Sequence, residues 1–289
     1  HVAAFRHAAG EQRRRPAREL ACNSMMPYRL YALSNLASML ALLSYPVLVE
    51  PFFVVVQQAH AWSVGYVFFV VACLASVWQS WQGVSSELER RPASSEPVPR
   101  PPLRECLLWI GLAMTASILL LALTRHLTQD VAPVPFLWVL PLSIYLLSFI
   151  LCFDAPRYYH RRGFLIALPI AFVALDQVLA EGGMPVPLLV SLLCGALFVF
   201  CMVCHGELVR RRPPVRHLTL FYLMLSIGGA LGGSFVGLLA PALFNAYFEL
   251  PIGLFLCAVL VIIILWPQVK PIWRWLLLAA LAIYGYRLA

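Results

Sequence analysis

The chain has 289 residues, of which 62% are hydrophobic and 12% charged, with a net charge of +8 and a mean hydropathy of +0.82. A water-soluble domain carries about 25% charged residues, so this sequence has too little polar surface to cover a soluble globule. The positive charge lies between apolar runs, not on one soluble face, which argues against nucleic acid as a partner and makes the charges reporters of membrane topology.

The first 26 residues, HVAAFRHAAGEQRRRPARELACNSMM, are basic and not apolar. They lack the apolar core and small-residue cleavage site of a signal peptide, and are expected to form a cytoplasmic segment. Nine apolar runs follow, at 27–53, 62–83, 106–124, 134–153, 163–180, 185–204, 218–240, 250–266 and 272–288. Most are about 20 residues long, enough for a helix to cross a ~30 Å hydrocarbon core. Alternating short strands of a closed barrel are not seen, so the expected fold is an all-α bundle of about nine transmembrane helices spanning 27–289. Residues 84–105, rich in Pro, Ser and charge, read as a cytoplasmic linker.

Nineteen of the 21 Lys and Arg residues fall on one side of this nine-span arrangement, leaving Arg125 and Arg287 on the other. The positive-inside rule makes the crowded side, and with it the N-terminus, cytoplasmic. The chain opens on His and ends outside after an odd number of spans, which leads us to expect a fragment of a longer protein.

CMVCHGELVRRRP, residues 201–213, contains C-x-x-C-H, the spacing of a covalent haem attachment site. The arginines that follow place it at the cytoplasmic end of the sixth span, the wrong side for that chemistry. A zinc site needs a second ligand pair, and the sequence has no other C-x-x-C and no H-x-x-x-H. Cys194, Cys201, Cys204 and His205 instead share one helix face. They read as a small-residue packing face, with His205 and Glu207 at the membrane–water boundary; a haem-binding redox protein remains the least favoured reading.

The seventh span contains GGALGGSFVG. Gly228 and Gly232 are four apart, as are Gly229, Gly233 and Gly237, a spacing that lets helix backbones approach closely. Six titratable residues sit near the outer ends of spans: Glu50, His126, Asp130, Asp176, Glu181 and Glu249. They suggest an acidic outer vestibule that favours cationic solutes. Asp176 stands out because an ionisable group inside a span is costly and usually has a partner or a role. His126, Asp130, Asp176, His205 and Glu207 are therefore the candidate solute path. The sequence lacks a P-loop, G-x-S-x-G, H-E-x-x-H and a Gly-rich nucleotide turn, so neither catalytic residues, nor a metal, nor a cofactor is expected.

Five stretches together carry a resemblance. They are PYRLYALSNLASMLALLSYPVLVEP, WSVGY, TRHLTQDVAPVPFLWVLPLSIYLLSFILCF, CMVCHGELVRRRP and HLTLFYLMLSIGGALGGSFVGLLAPALF. In this order, over about residues 27–250, they resemble the membrane part of the bacterial fused major-facilitator/spermidine-synthase-like proteins. The resemblance implies a major-facilitator-like bundle in the bacterial inner membrane, surrounded by lipid. It also implies a soluble aminopropyltransferase-related domain beyond Ala289 as its partner in the full-length protein. Its expected role is to transport or deliver a small cationic solute, polyamines being the class the family name suggests. A non-transporting anchor and assembly module for the enzyme domain is the alternative. The major-facilitator loop signature has at most a distant echo in DAPRYYHRRG, 154–163.

Overall fold

A computed structural model of the chain describes residues 28–88, 100–130, 135–154, 156–180, 184–268 and 271–288. The described residues are 90% helical, with no strand among them. Nine long helices coincide with the nine apolar runs: α1 Tyr28–Val49, α2 Val55–Leu88, α3 Leu103–Asp130, α4 Pro135–Asp154, α5 Arg161–Ala180, α6 Val186–Arg210, α7 Leu218–Ser234, α8 Glu249–Leu265 and α9 Pro271–Leu288. The chain of α7 runs on through a π-helical turn, Phe235–Leu239, to Leu243.

Seven of these helices are long and apolar enough to cross a membrane. The others are α5, which carries Arg161, Arg162 and Asp176, and α9, which carries Arg274 and Arg287. Several helices outlast their apolar runs. α3 continues through Arg125, His126 and Asp130, and α6 through His205, Glu207 and Arg210. Backbone hydrogen bonding carries a helix past the point where hydrophobicity stops, because its side chains there reach polar partners or water.

The chain divides into two compact units, one of residues 40–100 and one containing the first part of α1 and everything from Pro101 onward. In the first, a turn after α1 is closed by Phe53 N–H to the Val49 carbonyl at 3.0 Å. Gln58 ties it further, accepting from the Tyr45 hydroxyl at 2.9 Å and donating to the Phe53 carbonyl at 2.7 Å. No described side chain of the apolar span of α2, Val55–Trp81, is buried, and Trp62, Phe68 and Trp78 are exposed. A helix apolar on all faces and uncovered by its own unit belongs against lipid or another apolar surface.

In the second unit, α3 is the axis, touching α4, α6, α7 and α8. Thr115, Ala116 and Leu119 at its middle are fully buried. Helix ends are pinned by long-range contacts. Arg161 Nη1 donates to Gln268 Oε1 at 2.6 Å, and Arg211 Nη1 meets Glu105 Oε1 at 3.1 Å. Tyr28 donates its hydroxyl to the Pro213 carbonyl at 2.7 Å, and Arg29 pairs with Asp154 at 3.3 Å. These contacts gather the starts of α1, α3, α5 and α7 and the ends of α4, α6 and α8 at one end of the unit. At the opposite end, Arg125 pairs with Glu249 at 2.6 Å, joining the end of α3 to the start of α8. Consecutive helices of this unit therefore run antiparallel.

The glycines of α7 divide by face. A Cβ on Gly228 would lie 2.5 Å from the Ile110 carbonyl oxygen, and one on Gly232 would lie 2.6 Å from that of Met114. These two let α7 press backbone to backbone on α3, and Ser117 adds a hydrogen bond to the Gly229 carbonyl at 3.2 Å. Gly229, Gly233 and Gly237 do not share this contact. Their Cβ positions meet nothing within 4 Å, because their stripe is turned away from α3.

Gly228→Leu or Gly232→Leu should force α7 off α3 and cost about 1–3 kcal/mol by overpacking. Gly229→Ala and Gly233→Ala should be tolerated. Thermal unfolding in detergent, followed by fluorescence, checks the contrast; equal losses at all four positions would contradict this packing.

Candidate functional site

The second half of α6 is buried on all sides, from Phe200 to Val209. Three consecutive residues there do different work: His205, Gly206 and Glu207. His205 is fully buried, and its Nδ1 lies 2.9 Å from the Ser148 hydroxyl on α4. Ser148 also lies 2.8 Å from the Tyr145 carbonyl, to which it donates. A hydroxyl has a single proton. With that proton on the Tyr145 carbonyl, Nδ1–H donates to Ser148 and Nε2 is a bare lone pair. Nε2 is buried and has no hydrogen-bond partner among the described residues.

Aromatic rings surround this imidazole. Tyr145 meets it edge-on with centroids 4.9 Å apart, and Phe149 lies at 4.5 Å. The run of rings continues from Phe149 to Tyr31 at 5.3 Å and from Tyr31 to Tyr222 at 4.5 Å. Four helices, α6, α4, α1 and α7, thus contribute to one aromatic chain. Its far member, the Tyr222 hydroxyl, is also buried without a hydrogen-bond partner among the described residues. Two unpartnered polar atoms in an aromatic setting suit a ligand that offers N–H or O–H groups together with positive charge, since ring faces attract cations.

Gly206 makes the next contact possible. Tyr159 lies flat across it, and a Cβ at 206 would come 2.5 Å from the ring. The Tyr159 hydroxyl then reaches Glu207 Oε1 at 3.1 Å. Arg161 Nε donates to the same oxygen at 2.6 Å, while Arg210 stands 3.9 Å away on the next turn. Glu207 is 3% exposed and Arg161 18%. This ion pair is out of water on the carboxylate side, and it joins α5, α6 and, through Gln268, the end of α8. Burial, and next the Glu207 charge, push the Tyr159 phenol above its ordinary value.

The other expected path residues lie elsewhere. His126 is half-buried in the last turns of α3, and Asp176 is half-buried near the end of α5. Both belong to the end of the unit opposite Glu207. Asp130 closes α3, and its side chain lies outside the described residues, as does Glu181. At that same end Arg125 is held between Glu249 and the Tyr247 ring, 4.5 Å from its centroid. The expected five-residue path is therefore split between two ends. Cys201 and Cys204 are buried within the helix packing, as small apolar residues, and no group of three or more His, Cys, Asp or Glu that could hold a metal occurs among the described residues.

Sequence reading missed Tyr31, Tyr145, Ser148, Phe149 and Tyr222. The spacing of Tyr145, Ser148 and Phe149 puts them on one face of α4, which was the available signal. No family model, curated protein or solved structure matches the chain.

Glu207→Gln should leave Arg161 with an uncompensated charge and cost about 3–5 kcal/mol, the range for breaking a buried pair. Asp154→Asn, at an exposed pair, should cost at most about 1 kcal/mol. Denaturation melts of both variants check the ratio. The raised Tyr159 phenol keeps its proton in the folded state where an unfolded tyrosine loses it. Stability should therefore fall as pH rises past about 10, and Tyr159→Phe should make that fall shallower in melts recorded across the alkaline range.

Proposed function

We propose that the chain is the membrane region of a fused major-facilitator/spermidine-synthase-like protein, and that it moves or delivers a small cationic solute through a nine-span bundle. The observation carrying this reading is the buried His205 Nε2, unpartnered among the described residues inside a run of aromatic rings. A buried polar atom without a partner is costly, and a protonated amine would satisfy it by donating an N–H while the rings meet the rest of the cation. The antiparallel order of α3 to α8 supports treating α5 as a span along with its neighbours. The concentration of Arg161, Arg210, Arg211 and Arg216 at one end supports a cytoplasmic placement of that end in a bacterial inner membrane.

Ion pairs close both ends around this site, Arg161–Glu207 at one and Arg125–Glu249 at the other. In this reading the structure is an occluded state, and transport requires these pairs to open in turn. His126 and Asp176 belong to the outer approach. A bundle whose pairs never open would serve as an anchor for an enzyme domain.

Proteoliposome uptake of labelled putrescine and spermidine by the full chain tests the proposal. His205→Ala and Tyr31→Ala should each lower uptake about tenfold or more, as expected for loss of one desolvated cation contact. His205→Gln, which keeps an acceptor, should retain part of it. Wild-type uptake no faster than that of empty liposomes would favour the anchor. Unchanged uptake in both His126→Ala and Asp176→Asn would remove those residues from the path.

A further inference from the structure

Ser148 stands between two groups that both claim its hydroxyl. Its Oγ lies 2.8 Å from the Tyr145 carbonyl, one turn back on α4, and 2.9 Å from His205 Nδ1 on α6. Ser148 and His205 are both fully buried, so neither can turn to water for a partner. Ser143 and Thr115 show the ordinary arrangement, each donating to a carbonyl one turn back. Ser148 does this and also meets a ring of another helix.

A hydroxyl carries one proton and a neutral imidazole one N–H, which leaves two placements. With the imidazole hydrogen on Nδ1, Ser148 donates to the Tyr145 carbonyl and accepts from Nδ1–H, and both short contacts are hydrogen bonds. With that hydrogen on Nε2, Ser148 has to give its one proton to Nδ1. Its oxygen then faces the carbonyl oxygen at 2.8 Å with no proton between them. Nε2–H would also be a buried donor without an acceptor among the described residues. The first placement makes one more hydrogen bond and is favoured on that account. It leaves Nε2 a bare lone pair, set among the rings of Tyr145 and Phe149.

We infer that Ser148 sets the specificity of the His205 site: by holding the imidazole hydrogen on Nδ1 it keeps Nε2 an acceptor, so the site takes cations that bear N–H, primary and secondary ammonium groups, and rejects quaternary ammonium ions. Aromatic rings attract any cation, quaternary ammonium included, and by themselves would not tell these apart. The lone pair does, because a quaternary ion leaves Nε2 buried without a hydrogen bond. Ser148 acts through the imidazole, which makes it a positioning residue. The substrate class rests on the proposed solute site; the placement of the imidazole hydrogen does not.

The test records nitrogen-15 spectra of the full chain, labelled at histidine, in dodecyl maltoside; the His205 signals are those lost in His205→Gln. The wild type should show Nδ1 as the N–H nitrogen and Nε2 as the bare one. Ser148→Ala should move the hydrogen toward Nε2, whereas Ser148→Thr, which keeps the hydroxyl, should not. The wild-type spectrum decides the placement even if a variant does not fold. Putrescine should shift the Nε2 signal saturably, and its hexamethyl bis-quaternary derivative should displace it only at roughly tenfold higher concentration or more. Ser148→Ala should bring that ratio toward one. Nε2–H in the wild type, an unchanged tautomer in Ser148→Ala, or equal competition by the two cations would each overturn the inference. An Nε2 response to putrescine without proteoliposome uptake would remove transport and leave the inference standing. Uptake with an Nε2 signal that ignores putrescine would sink the inference and leave transport standing.

Discussion

The bundle depends on contact between backbones more than on burial of apolar side chains. Lipid tails are as apolar as leucine, so hiding leucine from lipid gains little, and helices associate where they approach closely or share polar contacts. α3 and α7 meet that requirement at Gly228 and Gly232, where carbonyl oxygens of α3 occupy the space a side chain would need. Gly253 gives α8 a close fit of another kind, against side chains: a Cβ there would lie 2.8 Å from the Ile118 side chain of α3. Two neighbours thus close onto one axis, and α4 and α6 pack against the same helix. The position of the aromatic chain follows, because α4, α6 and α7 are all referred to α3.

Polar contacts then fix what close packing leaves adjustable. Arg211 meets Glu105 and Arg125 meets Glu249, so both ends of α3 are tied to a partner helix. Arg161 and Glu207 tie α5 to α6 independently of α3. The difference in environment matters. Glu249 and Glu207 are nearly inaccessible, whereas the Arg29–Asp154 pair is open to solvent on both sides. Losing one partner of a buried pair strands a charge, and losing one of an exposed pair does not. The buried pairs are therefore the costlier of these contacts to break.

The sequence was most informative about where helices lie, since an apolar run of membrane length is stable in few settings besides a bilayer. It was less informative about where they stop: Arg125 and Glu207 read as loop or boundary residues, but their partners lie on other helices and the helices continue through them. Two sets of glycines with the same four-residue spacing looked equivalent, and which of them meets α3 is a matter of rotation about the axis of α7. Arg161 read as a topology marker, and its bond to Glu207 crosses 46 positions of chain. Ser148 is 57 positions from His205. No local pattern reports such pairings. The C-x-x-C-H letters, the most conspicuous motif, lie in the most tightly packed part of α6.

That last point changes what α6 is for. A helix carrying a histidine, a glycine and a glutamate in succession near its end presents three adjacent side-chain directions to three different neighbours. His205 is directed to α4, Gly206 accepts the Tyr159 ring, and Glu207 takes Arg161 of α5. Moving α6 along its axis by one residue, about 1.5 Å, would disturb all three contacts together. The buried imidazole and the ion pair are therefore carried by one short stretch of α6, with the Tyr159 ring seated on the glycine between them. A side chain at 206 would displace Tyr159, and with it the hydrogen bond to Glu207, even with both polar residues intact.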